Sequence, residues 1–128
     1  MKYFLVLILL VTTLACTKSA DNSSSGLIGR WQLKETLADP GDGSGTWMNA
    51  NSNYFIQFNA DSSAFDNSTY GNKINKFSLK NDSVLVLFYS NNTSLQQYFK
   101  IQSNTLTLMG GCIEACGSRF KKTSVLNN

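Results

Sequence analysis

The sequence predicts an all-β domain, an eight-stranded antiparallel up-and-down barrel, and three observations carry that expectation. The stretch 27–37 sets Leu27, Gly29, Trp31, Leu33, Glu35 and Leu37 in alternation with Ile28, Arg30, Gln32, Lys34 and Thr36, the period of two that a half-buried strand requires. Runs of similar character recur every ten residues or so as far as Thr123, divided by clusters of Asn, Asp, Ser and Gly. Short links join them into a meander, and closing a meander into a barrel removes the edge strands that invite aggregation.

In chain order, Lys2 is followed by an apolar run at 3–11. It is too short to cross a bilayer but suits the apolar region of a signal peptide, so residues 1–15 are expected to be cleaved before Cys16. Residues 16–26 are polar and Ser-rich, the composition of a flexible tether, and the barrel domain is expected over 27–124. After the first strand, 38–53 contains Asp39-Pro40-Gly41-Asp42-Gly43-Ser44-Gly45, so dense in turn formers that no regular element is expected there. Its length makes it a lid candidate, with Trp47 and Met48 as its large apolar groups. Seven further strands are expected at 54–58, 63–69, 74–79, 83–89, 95–101, 105–109 and 118–123. The connectors 59–62, 80–82 and 102–104 are hairpin-sized, and only the segment around Cys112 invites a helical turn. In 84–89 Val84, Val86 and Phe88 alternate with Leu85, Leu87 and Tyr89, so this strand is apolar on both faces. One face is expected to line the interior and the other to be covered by the tether, the long loop or a partner.

Composition excludes several classes of function. A chain of 128 residues, 42% hydrophobic and 15% charged, holds one domain, large enough to bury a core without metal or cofactor. The net charge of +3 includes Lys2 and has no run longer than Lys121-Lys122, which argues against nucleic acid as a partner. Histidine is absent, which removes Ser-His-Asp triads, Cys-His pairs and nearly every familiar zinc site. Asp39, Asp42 and Ser44 are oxygen ligands at the wrong spacing for a calcium loop, so turn formation is the better reading. Glu35 and Glu114 form the one pair of acids available for glycosidase-like chemistry, and nothing in their spacing recommends it; no catalytic residue is expected.

Two groups of residues carry a resemblance. Thr13-Leu14-Ala15-Cys16 resembles the lipobox of bacterial lipoproteins. That resemblance implies that Cys16 is acylated and becomes the new N-terminus, that acyl chains hold the protein in a bacterial envelope membrane, and, with Thr17 next, that the outer membrane is the destination. Gly29-Arg30-Trp31 at the head of an eight-strand meander resembles the Gly-x-Trp signature of lipocalins. Together with 39–47 and Cys112-Ile113-Glu114-Ala115-Cys116, it resembles lipocalin-like lipoproteins of Gram-negative bacteria over 27–123. The helix that follows the barrel in large lipocalins is missing, and no arginine clearly stands where theirs packs on the tryptophan. The resemblance implies that Gly29 and Trp31 form the floor of a closed end. The longer links, 38–53, 70–73, 90–94 and 110–117, then surround an open mouth.

With Cys16 given to lipid, Cys112 and Cys116 remain. An extended strand would hold their Cα atoms roughly 13 Å apart, whereas one helical turn brings them to about 6 Å, within disulfide range. In an oxidising compartment a bridge is favoured over a thiol redox pair or a metal site. The leading functional expectation is a membrane-anchored module that binds a small, partly apolar ligand at the mouth through Glu35, Trp47, Met48 and Tyr54. The alternative is a protein with no small ligand that engages or inhibits an envelope protein through its open-end loops.

Overall fold

A computed structural model describes residues 24–69, 71–113 and 115–124. The expected signal peptide, Cys16 and most of the expected tether lie outside the described residues, as does Glu114. The fold is an antiparallel up-and-down barrel of eight long-path strands plus one short accessory strand. A helical turn, α1 (Ser24–Leu27), precedes β1 (Gly29–Ala38), β2 (Thr46–Asn49), β3 (Phe55–Phe58), β4 (Ala64–Asp66), β5 (Ile74–Asn81), β6 (Val84–Tyr89), β7 (Ser94–Gln102), β8 (Thr105–Met109) and β9 (Cys116–Ser124). Around the sheet the order is β4, β3, β1, β9, β8, β7, β6, β5, with β2 attached to β1.

Four features differ from the sequence expectation, each for a local reason. The first strand begins at Gly29 rather than Leu27: Gly29 has φ 129°, and Leu27 turns back so that its carbonyl accepts the Trp31 indole N–H at 2.6 Å. The loop 38–53 is not wholly irregular. β3 covers only Gly29 to Gln32 of the ten-residue β1, and β2 pairs with Glu35 to Ala38, which would otherwise be an open edge. β4 is three residues long, because Asp66 Oδ1 accepts the Ser68 amide and hydroxyl and turns the chain out of the sheet. Cys112 lies in a bend, not a helical turn, and Cys116 is already the first residue of β9.

Closure is uneven. The first and last long strands, β1 and β9, pair along nearly their whole length. Between β4 and β5 the ladder shrinks to a bridge between Ser63 and Lys76 and the Phe77 amide on the Ser62 carbonyl at 3.0 Å. At the upper part of that seam the Ile74 amide donates to Asp66 Oδ2 at 3.3 Å, a side chain standing where a strand carbonyl would. Asp66 is 2% exposed and is the one buried charged group among the described residues.

Connections alternate between two ends. The turns after β3, β5 and β7 lie at one, the short-turn end, with α1 and the start of β1; the links 39–45, 67–73, 90–93 and 110–115 lie at the other, and 50–54 runs beside Leu33 and Lys34 partway along β1. At the short-turn end Trp31 is fully buried, and Lys122, its partner in the β1–β9 register, places Nζ 4.9 Å from the ring centroid while donating to the Gly26 carbonyl at 3.0 Å. Leu27, Phe58, Phe77, Leu85, Leu106 and Phe120 join Trp31 in one continuous core. The outer face of β6, apolar as the sequence requires, is half-buried rather than sealed.

Candidate functional site

The open end carries the residues singled out from the sequence, but the wall of the barrel divides them. In the β1–β9 register Leu33 pairs with Phe120 and Glu35 with Arg119, so Lys34 is an extra residue, a bulge that shifts the side-chain phase of β1. Phe120 is buried in the core, so Arg119 points outward, and Glu35 goes with it. The expected place of Glu35 among ligand-binding residues of the mouth is thereby corrected: its carboxylate meets Arg119 Nη1 at 3.2 Å on the outer wall. Trp47 is on the same side, opposite Leu37, with the Arg119 guanidinium 3.8 Å from its ring centroid. A Cβ on Gly117 would come within 2.8 Å of that ring, so the bare backbone there is what lets the indole lie on the wall. Met48 pairs with Thr36 on the inward side of the rim and is 56% exposed. Tyr54 also turns inward, and its ring lies 6.3 Å from that of Phe120.

Beneath the rim, Tyr54 donates its hydroxyl to Asp66 Oδ2 at 3.4 Å, and Tyr89 lies close enough to feel the same carboxylate. Burial raises both phenol pKa values first, and the Asp66 charge raises them further, so both hydroxyls stay protonated well into the alkaline range. Sequence reading passed over Asp66. The signal was its phase: it shares the inward side of β4 with buried Ala64, while Phe65 between them is 45% exposed.

The rim itself is braced. Asp39 accepts the amides of Gly41 at 2.7 Å, Gly43 at 3.1 Å and Gly45 at 3.0 Å, bonds that hold its carboxyl below the usual range, with Gly45 and Gly41 the chief causes. Both Asp39 and Asp42 spend their oxygens on the loop's own backbone. Cys112 and Cys116 are joined, with Cα atoms 6.3 Å apart, and the positive φ of Gly110 and Gly111 lets the chain turn sharply enough. The Asp39 amide donates to the Ala115 carbonyl at 2.9 Å, which ties the two loops together, and Ile113 projects fully exposed from the tip. Hydrogen bonds within the loop 39–45, and its tie to the cysteine loop, thus brace this part of the rim.

The interior is filled to within a rung of that rim. Ile74, the first residue of β5 at the open end, is 4% exposed, and Leu87 and Leu108 are 2% exposed. Concavities lined by described residues open on the outer surface: one of about 580 Å³ beside the β5–β6 turn, and two of about 280 and 340 Å³ around Arg119. Among the described residues no group of three acids or cysteines is placed to hold a metal ion. Set against models of known families, curated proteins and solved structures, the chain matches none of them.

Proposed function

We propose that the chain is a lipid-anchored, lipocalin-like module of the bacterial envelope that works without catalysis, by presenting the braced rim of its open end to another envelope protein. The observation that carries this reading is the filled interior: a barrel whose core reaches Ile74, Leu87 and Leu108 has little room for a guest, whereas its rim holds fixed loops and an exposed Ile113. The lipobox at 13–16 and Trp31 with a cation against it agree with the lipocalin-like reading. The barrel's first strand starts at the end opposite the rim, so a tether leading into it directs the rim away from the anchor.

The small-ligand reading stands second, favoured by one feature: the half-buried hydroxyls of Tyr54 and Tyr89 form a polar spot beside apolar walls just inside the rim. Native mass spectrometry of residues 17–128 separates the two. The expected result is the bare chain mass with no uptake of a hydrophobic dye; a stoichiometric apolar passenger would restore the small-ligand reading. In cells, a photo-crosslinking residue at position 113 should give a discrete protein adduct that the same residue at position 82, in a turn of the far end, does not. Cys16→Ser should end palmitate labelling, and continued labelling would remove the anchor.

A further inference from the structure

Charge is sorted by place in this barrel. The outward faces of β1, β9, β8 and β7 carry Arg30, Lys34, Lys100, Arg119 and Lys121, and Glu35 is the one acid on those strands. Glu35 is already matched by Arg119, so the wall presents an excess of positive charge. The wall is also grooved. The concavity of about 340 Å³ around Glu35 and Lys121 shares Gln102, Thr107 and Arg119 with the one of about 280 Å³. That second concavity shares Tyr98 with the larger one that holds Lys80 and Asp82, so the three run on as a track across the strands. Tyr98 stands in the middle and is 68% exposed.

We infer that this track binds an extended anionic polysaccharide, one whose sugar rings carry carboxylate or sulfate groups. A pyranose ring offers an apolar face to an exposed phenol such as Tyr98, and its hydroxyls suit the amide of Gln102 and the hydroxyls of Thr105 and Thr107. Its charged groups meet Lys100 and Lys121 on either side. An acidic peptide would find no strand edge to extend, because β7, β8 and β9 are hydrogen-bonded on both flanks. A bilayer surface, being flat, would leave the track empty.

The test uses the full chain in a nonionic detergent, with alginate as the polyuronate, dextran as an uncharged polymer, and micelles doped with phosphatidylglycerol as the lipid anion. Alginate should bind at low salt and weaken about tenfold or more between roughly 50 and 300 mM NaCl, while dextran should not bind. Lys100→Ala/Lys121→Ala should weaken alginate binding about tenfold, and Tyr98→Ala, which leaves the charge unchanged, should weaken it about fivefold or more through loss of stacking. All three side chains lie on the outer face, and unchanged melting temperatures would show that the variants remain folded. No binding to alginate would overturn the proposal. So would full binding by Tyr98→Ala, which would reduce the effect to ion exchange, or preference for phosphatidylglycerol over alginate at equal charge.

Discussion

Asp66 concentrates more of the barrel's polar order than any other side chain inside it. Its two oxygens accept from Ser68, from the Ile74 amide across the weakly paired seam and from the Tyr54 hydroxyl. Asp66→Ala would take from the part-buried Tyr54 hydroxyl and the buried Ile74 amide their shared partner, at a cost of about 2 to 4 kcal/mol. Urea denaturation measures this, and Tyr54→Phe in the same background should recover part of the loss. At this scale the sequence was only partly readable. Trp31 and its alternating neighbours announce their face through period two alone. Glu35 does not, because the bulge at Lys34 is created by pairing with β9, far along the chain, and no local pattern marks it. The partnership of Trp47 with Arg119 is hidden for the same reason.

At the scale of elements, the rim loops are stiff for different chemical reasons, one covalent and one carboxylate-centred. A bridge closing a loop of about five residues stabilises a fold by about 2 kcal/mol on the chain-entropy estimate. Cys112→Ser/Cys116→Ser should therefore lower unfolding stability by about that much and leave the far-ultraviolet circular dichroism of the barrel intact. Because Ala115 and Asp39 share a hydrogen bond, amide exchange should quicken at Asp39 as well as in the cysteine loop. Strands were legible wherever apolar residues alternate over five or more positions. β2 was not, since a four-residue segment behind seven turn formers becomes a strand only through the unpaired half of β1 beside it.

For the whole molecule, the inward tyrosines set an alkaline limit. Their pKa values are raised in the fold, so the fold favours the protonated phenols. The stability they contribute is complete below the unfolded phenol value of about 10 and falls as pH climbs from there toward the folded values. Melting temperature should hold up to about pH 9 and drop above about pH 10, and the drop should be shallower in Tyr54→Phe. The share of phenolate absorbance that Tyr54→Phe removes should rise together with loss of structure rather than before it.

The pairing of β1 with β9 also fixes when this molecule comes into being. The first strand finds one of its two long neighbours only after nearly the whole chain has followed it, so no growing or half-threaded length of the chain has both flanks of β1 covered. Contacts of such wide sequence separation form slowly, in the range of milliseconds to seconds for barrels of this kind. The cylinder is consequently an all-or-nothing object in time: a chain on its way through a narrow passage stays pliable, and it becomes a rigid body only once its last strand has arrived.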